Sequence, residues 1–183
     1  MPKTAVLGLC LLLPSCDTER NSPSEQAIPS PYDTLVSVTL WDVQGLFGGQ
    51  NLFLARDGTT YVQIVRPPKV LYPQGGLHEQ RFRLSLNQAE VDAFLTLLKK
   101  NDFLGIQIPE RFGIPDEARP TLQVRFSSGE SRTVAKWGND THERFDALYT
   151  HLLDLAKKAA GMKPIYDGRW EEKWFPEGFG IPK

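Results

Sequence analysis

NLFLARDGTTYVQIV, residues 51–65, carries the strongest fold signal in the chain. Two runs rich in apolar, β-branched and aromatic side chains flank the pair Asp57-Gly58. An Asp-Gly pair in this setting predicts a β-hairpin with a two-residue primed turn, in which both central residues adopt positive φ. The stretch therefore predicts two antiparallel strands joined at residues 57 and 58.

Further strands are predicted on both sides of this hairpin. Residues 34–41 and 80–86 alternate apolar and polar side chains, which is typical of strands with one buried face. Residues 121–137 repeat the hairpin pattern around a Ser-Gly turn, with apolar side chains alternating at Leu122, Val124 and Phe126. We expect a mostly antiparallel sheet, because hairpins join strands that run in opposite directions.

In two segments the spacing of apolar residues changes to a helical period. Asn87 and Glu90 form a capping-box pattern that predicts a helix start, and a second start is expected across residues 140–143. The predicted second helix ends at Gly161. The apolar faces comprise Val91, Phe94, Leu95 and Leu98 in the first helix, and Phe145, Leu148, Leu152, Leu155 and Ala159 in the second.

Two helices with one apolar face each are expected to cover one side of the sheet. The predicted fold class is therefore α+β, a two-layer sandwich with a mostly antiparallel sheet covered by two helices. One domain is expected over residues 34–161, and a hydrophobic content of 40% is sufficient for its core. Cys10 and Cys16 both precede this domain, so it contains no thiol for a disulfide or a metal site.

Composition and motifs exclude several classes of protein. A formal net charge of -1 and an isoelectric point near 6.3 differ from the basic character of nucleic-acid-binding domains. The sequence has no run of about 18 apolar residues that would predict a membrane-spanning helix. No phosphate-binding loop, Gly-x-Ser-x-Gly motif or His-Glu-x-x-His motif occurs. We therefore expect no nucleic-acid partner, no cofactor and no metal site.

The N-terminal residues have the features of an export signal. Lys3 supplies a positive charge, and residues 5–13 form an apolar segment too short to span a bilayer. The sequence LPSC at residues 13–16 resembles the lipobox of bacterial lipoproteins, which implies cleavage before Cys16 and acylation of its sulfur. A plain signal peptide cut near Ser15 and an apolar cytosolic N-terminus are the alternatives.

These features divide the chain into segments. Residues 1–15 are the expected signal peptide, and residues 16–33 are the anchor cysteine followed by a polar, proline-rich tether. A flexible tether of this length has a reach of about 20–25 Å. Residues 162–183, after the domain, form an aromatic tail. We expect the protein on the extracytoplasmic side of the bacterial cell envelope, with membrane lipid as its partner through acylated Cys16.

Residues 36–156 resemble a family of uncharacterised bacterial lipoproteins that carry a domain of unknown function. The resemblance rests on the glycine loop at residues 45–49, on Asp57-Gly58 and on the order of the predicted strands and helices. Many members have cysteines in that loop, whereas this chain has LFGGQ at residues 46–50, so a disulfide or redox role does not carry over. The resemblance implies the fold and the envelope location but no activity.

Few residues are candidates for catalysis. His142 and Asp146 are neighbours on the predicted second helix, a spacing more typical of a solvated pair than of a catalytic one. His151 is expected on the opposite face of that helix, and His78 is a lone histidine beside the predicted loop. We predict no catalytic residue among them.

Two aromatic features are candidates for binding. The first is the glycine loop, with Phe47 and Gly48 near its tip, and the second is the tail, which contains Trp170, Trp174 and Phe175. Left exposed, the tail residues would form an apolar interaction surface. Folded back, they would cover the sheet or a groove between helices. We expect a packed tail, because exposed aromatic residues promote aggregation.

The expected function is that of a non-catalytic binding or structural module, whose partner would be another component of the envelope, such as a protein. The alternative is an extracytoplasmic hydrolase or metal-dependent enzyme with a site built from loop residues. A deep pocket that gathers His78, Asp116 and Glu117 would favour that alternative.

Overall fold

The computed structural model describes residues 30–45, 47–67 and 76–179. Within these residues, eight antiparallel strands form one sheet in the order β7-β6-β1-β3-β4-β5-β8, and β2 pairs with β3. The strands are β1 Leu35–Trp41, β2 Val43–Gln44, β3 Gly48–Ala55, β4 Thr59–Arg66, β5 His78–Ser85, β6 Thr121–Phe126, β7 Ser131–Ala135 and β8 Tyr166–Arg169, and the helices are α1 Gln88–Lys100 and α2 Glu143–Ala160. The predicted α+β sandwich is confirmed.

One face of the sheet packs against both helices. Strands β1 and β3 place Val38 opposite Leu54, so that alternate aliphatic side chains point to the same side. These side chains and the inner faces of the two helices form one continuous hydrophobic core. The predicted apolar face of α2 lies in this core, although Leu155 is only partly buried and Ala156 is almost completely buried. We call this side of the sheet the helix face.

Side-chain caps fix the start of both helices. At the start of α1, Asn87 Oδ1 accepts from the N–H of Glu90 at 3.0 Å, and Glu90 Oε2 accepts from the N–H of Asn87 at 2.9 Å. This is the predicted capping box. At the start of α2, His142 Nδ1 accepts from the N–H of Phe145, and Asp146 accepts from the N–H of His142 at 2.9 Å. The pair of His142 and Asp146 is therefore a helix cap.

The turn between β3 and β4 differs from the predicted primed turn. Gly58 has a φ of +87°, but Asp57 does not have a positive φ, so the expectation was wrong for Asp57. The N–H of Gly58 donates to the carbonyl of Ala55 at 3.0 Å, which closes a four-residue turn with glycine in last place. A β-carbon at Gly58 would also lie 2.2 Å from the carbonyl oxygen of Leu86. Both the backbone angle and this contact require glycine.

The tail covers the opposite side of the sheet, which we call the tail face. Its first part, β8, is an edge strand paired with β5 and was not predicted from the sequence. The rings of Trp174, Phe175 and Phe179 then contact Phe53 at centroid distances of 5.8, 5.6 and 5.8 Å. Phe53 is 0% exposed although it points away from both helices. The sheet is therefore covered on both sides, by helices on one and by the tail on the other.

Candidate binding site

Buried polar side chains form a connected row on the tail face, because β3, β4 and β5 place them opposite one another. Asn51 Nδ2 donates to Gln63 Oε1 at 2.8 Å, Gln63 donates to Glu79, and Arg81 donates to Glu79. We call these four residues the polar row. Glu79 is 0% exposed, and a carboxylate buried to this extent requires charged and hydrogen-bonding partners. Gln63 and Arg81 supply them.

Arg81 connects the polar row to the tail. Its Nη2 also donates to Glu171 at 2.6 Å. Its guanidinium carbon lies 4.1 Å from the ring centroid of Tyr166 and 4.4 Å from that of Trp174. Three residues of the tail therefore contact one nearly buried cation, through an ion pair and through cation–π interactions.

At its other end the polar row meets Asp42, directly after β1. The N–H of Asp42 donates to Asn51 Oδ1 at 3.0 Å. Asp42 Oδ2 accepts from the hydroxyl of Tyr149, on α2, at 2.6 Å and from Gln50 at 3.4 Å. Burial raises the pKa of the Asp42 carboxyl, and burial together with the Asp42 carboxylate raises the pKa of Tyr149. Asp42 thus links a helix to the polar row around the end of the sheet.

A cleft of about 280 Å³ lies beside Asp42, where β1 ends and the tail leaves β8. We call it the Asp42 cleft. Its volume is just below the range for small-molecule sites, about 300–1,000 Å³. Two indole rings line it together with charged and amide side chains. The lining residues are Trp41, Asp42, Val43, Gln44, Gly45, Asn51, Arg119, Trp170 and Glu172.

Hydrogen-bond acceptors in the Asp42 cleft are left unused by the part of the chain that the structure describes. Both bonds to the Asp42 carboxylate go to Oδ2, so Oδ1 accepts from none of these residues. The carboxylate of Glu172 and the amide of Gln44 have no partner there either. A ligand with hydroxyl or amide donors could bond to all three.

Donors are also left unused in the cleft. Arg119 Nη2 donates to both carboxylate oxygens of Glu110 at 2.8 Å, and its guanidinium lies 4.9 Å from the ring centroid of Trp137. Its Nε and Nη1 groups have no acceptor among the described residues. The Nε1–H of Trp170 is buried and likewise has no acceptor there. The cleft therefore offers both donors and acceptors beside aromatic rings.

The structure places the three tail residues predicted for binding in different surroundings. Trp170 lines the Asp42 cleft. Trp174 and Phe175 pack on Phe53, and Phe175 also contacts Trp41 at a centroid distance of 4.8 Å. Because Trp41 is a wall of the cleft, its contact with Phe175 helps to fix that wall.

The two predicted binding residues of the glycine loop also differ from each other. Phe47 is 60% exposed in the turn before β3. Gly48 is buried, with a φ of +76°, and a β-carbon there would lie 2.2 Å from the carbonyl oxygen of Val65. The backbone conformation therefore explains the glycine at position 48 without a ligand.

Sequence reasoning did not find Asp42, Asn51 or Arg119, because they belong to no motif and come together only in the folded sheet. Arg81 alternates with the apolar residues Phe82 and Leu84 in the predicted strand over residues 80–86, whereas Glu79 lies before that strand and next to the polar Gln80. The alternation predicted one buried face and gave no sign that charged residues on the other face would be buried as well.

The residues named for a loop-built enzyme are not brought together. His78, in β5, pairs with Asp167 of β8 at 2.7 Å, at one edge of the sheet. Asp116 and Glu117 lie in the loop before β6, and the N–H of Asn139, just after β7, donates to Glu117 at 3.0 Å. Since β7 and β8 are at opposite edges, no common pocket joins His78 to this pair.

Glu117 instead belongs to a cluster that we call the Arg111 clasp. Arg111 donates to both carboxylate oxygens of Glu117, at 2.6 and 3.0 Å, and to Asp140 at 2.9 Å. The Nε1–H of Trp137 donates to the carbonyl of Arg111 at 3.2 Å. The bonds from Arg111 lower the pKa of Glu117 to about 2. The clasp fixes the loop while the ring of Phe112 stays fully exposed.

Within the described residues, no group of three or more His, Cys, Asp or Glu side chains is placed to hold a metal ion. None of the helices there is both long and apolar enough to cross a membrane. The ring of His151 stacks on Phe94 at 5.2 Å and so contributes to the contact between α1 and α2. The predicted signal peptide and the predicted lipidation site, Cys16, lie outside the described residues.

Comparisons of the chain with protein-family models, with curated proteins and with solved structures found no match.

Proposed function

We propose that the chain is a lipid-anchored extracytoplasmic lipoprotein of the bacterial cell envelope, and that its domain is a non-catalytic binding or structural module. The anchoring part rests on the resemblance of residues 13–16 to a lipobox and on the polar tether that follows Cys16. Lipidation of the sulfur, with acylation of the new amino terminus, would supply the two or three acyl chains that stable membrane attachment needs.

The binding part rests on one observation, the Asp42 cleft. Several of its polar groups have no partner within the described part of the chain, whereas other lining residues are held in place: Asn51 is held by the polar row, and Trp41 packs edge-on against Phe53 and Phe175. Fixed walls with unused hydrogen-bonding groups favour ligand binding, because little side-chain freedom is lost when a ligand is bound.

The alternative function is an extracytoplasmic hydrolase. The observation that favours it is the raised pKa of the Asp42 carboxyl, which lies in the cleft and would suit a general acid. The bonds from Tyr149 and Gln50 give Asp42 a structural role as well. We prefer the binding module, since the fold requires Asp42 to join α2 to the polar row.

The anchor is tested by Cys16→Ser, with Cys10→Ser as the matched control. We expect Cys16→Ser to move the protein from the membrane fraction to the soluble extracytoplasmic fraction, and Cys10→Ser to leave it in the membrane. Cys10 lies inside the expected signal peptide, so it has no role in the mature protein. A Cys16→Ser protein that remains in the membrane after removal of the signal peptide would contradict the anchor.

The binding module is tested with a photo-crosslinking amino acid in place of Gln44, which lines the Asp42 cleft. The control position is Arg56, in the turn at the opposite end of β3. In membranes of the native organism we expect an adduct from position 44 and none from position 56. Equal yields at both positions, or no adduct from position 44, would contradict a binding role for the cleft.

A further inference from the structure

We propose that the Asp42 cleft binds a neutral sugar ring, so that the ligand of this protein is a saccharide. The inference rests on the proposed binding function and names the chemical class of its ligand.

The charges around the cleft favour a neutral ligand. Asp42 and Glu172 would repel an anion, while Arg119, whose charge is paired with Glu110, keeps N–H donors that a cation could not satisfy. A purely apolar ligand would cover the unused donors and acceptors without bonding to them, which is costly for buried polar groups. A neutral ligand whose hydroxyl groups both donate and accept bonds to the carboxylates and to the guanidinium at the same time.

The aromatic walls of the cleft fit the apolar face of a sugar ring. A sugar ring has an apolar C–H face as well as a rim of hydroxyl groups, and the flat indoles of Trp41 and Trp170 offer apolar surface for that face. The volume of about 280 Å³ holds one small ring and not a long chain. One residue of a longer glycan is therefore the expected occupant.

The aromatic wall is held in place before a ligand binds. The cation on the other side, Arg119, bonds to Glu110 through one nitrogen at the surface, so its Nε and Nη1 groups remain available. Trp41 is packed against Phe53 at 5.2 Å and against Phe175 at 4.8 Å. Such preorganisation lowers the entropy lost on binding.

The Nε1–H of Trp170 is an independent sign of a missing partner. It is buried without an acceptor among the described residues, an uncommon state for an indole N–H. Trp170 lines the cleft with other atoms of its indole, and a ligand oxygen can supply the missing acceptor only when the ring turns its Nε1–H towards the cleft.

The experiment uses the full-length chain in detergent and saturation-transfer NMR with three probes: maltotriose, cellotriose and triacetylchitotriose. We expect at least one of them to bind. We expect Arg119→Ala to weaken that binding at least about tenfold, since bonds from a charged donor are lost. Glu172→Ala is the second site variant and is also expected to weaken binding. Arg56→Ala, at the far end of the sheet, is the control and should bind as the parent does.

The proposal is overturned if none of the three sugars binds at millimolar concentration, or if both site variants bind a sugar as tightly as the parent. Choline and trialanine are included as a cationic and a peptide competitor. Binding of either one in place of the sugars overturns the saccharide class. That result would leave the binding module standing, because the crosslink from position 44 tests the cleft without assuming the ligand's chemistry.

Discussion

On the helix face of the sheet, aliphatic and aromatic side chains are buried by other apolar side chains, whereas on the tail face aromatic and charged side chains are buried by a segment with little regular structure. Leu52 and Leu152 are each 0% exposed within the first environment, and Phe53 and Glu79 are each 0% exposed within the second. Equal burial is thus reached by different interactions on the two sides of the same strands.

The two faces differ in how their stability depends on neighbours. Contacts in the apolar core of the helix face are many and non-directional, so each side chain contributes in proportion to the area it buries. The tail face depends on specific partners, because Glu79 and Arg81 are stable in the interior only as a pair. We therefore expect a substitution on the helix face to lower the free energy of unfolding in proportion to the buried area it removes. On the tail face, removal of one partner should lower it sharply, because the other partner stays buried without its bond.

Truncation after Lys163 is expected to have the largest effect. It removes β8 and the rings of Trp174, Phe175 and Phe179, so Phe53 and the polar row become exposed. Burial of each large aromatic ring contributes up to several kcal/mol before ordering costs. We expect the truncation to lower the stability of the domain more than any single substitution does. The measurements are a lower melting temperature and increased dye binding or aggregation.

The control for this truncation ends the chain after Phe179 and keeps every tail contact described above. It should melt at the temperature of the parent. A chain that ends at Lys163 and still melts with the parent would show that the tail adds nothing to the domain, and the contrast between the two faces would then fail.

Arg81→Met is expected to have the next largest effect, about 3–5 kcal/mol in the free energy of unfolding. The reason is that Glu79 would keep its buried charge without its cationic partner. Chemical denaturation measures the loss. In the double variant with Glu79→Leu, the unpaired charge is removed as well, so part of the stability should return. A double variant less stable than Arg81→Met alone would contradict the pairing argument.

Leu152→Ala tests the helix face, and Leu155→Ala on the same helix is its matched control. Leu152 is 0% exposed in the core, whereas Leu155 is only partly buried. We expect a loss of about 2–5 kcal/mol for Leu152→Ala, and clearly less for Leu155→Ala. Equal losses from the two variants in a denaturant titration would mean that burial does not determine the energetics of this face.

The sequence predicted most of the helix face and little of the tail face, for a physical reason. Apolar periodicity and local caps depend on neighbours in sequence, and residues such as Asn87, Glu90 and Leu148 lie where the pattern placed them. The strand β8 contains Asp-Gly, which locally favours a turn, and only its pairing with β5 makes it a strand.

The candidate site was harder to predict than the fold, since its parts are far apart in the chain. Asp42, Arg119 and Trp170 come from three segments and carry no motif. Of the residues proposed for binding, Trp170 was identifiable because it belongs to an unusually aromatic segment. The aromatic content of the tail indicated a role in packing or binding. The partners of each ring could not be predicted, because they are set by strands distant in sequence.

The smallest effect on stability is expected from a substitution in the Arg111 clasp. This ion-pair cluster lies near the surface, in contrast to the buried pair of Glu79 and Arg81. The Glu117 side chain is only 2% exposed, but Arg111 remains 35% exposed, so solvent and salt screen the ion pairs from the arginine side. The folded-state pKa of Glu117 is about 2, below the ordinary value of 4.5. A lowered carboxyl pKa contributes stability that is fully present above pH 4.5 and is lost as the pH falls from there towards 2.

Glu117→Gln should therefore melt slightly below the parent at neutral pH, and the difference between the two melting temperatures should shrink as the pH falls from 4.5 towards 2. High salt should reduce the difference at neutral pH as well. Glu177→Gln is the control, because Glu177 is exposed and outside the clasp, and it should follow the parent at every pH. A difference that stays constant down to pH 2 would mean that Glu117 acts through the shape of the loop and not through its charge. The clasp would then resemble the helix face, where packing sets the energetics, and not the polar row.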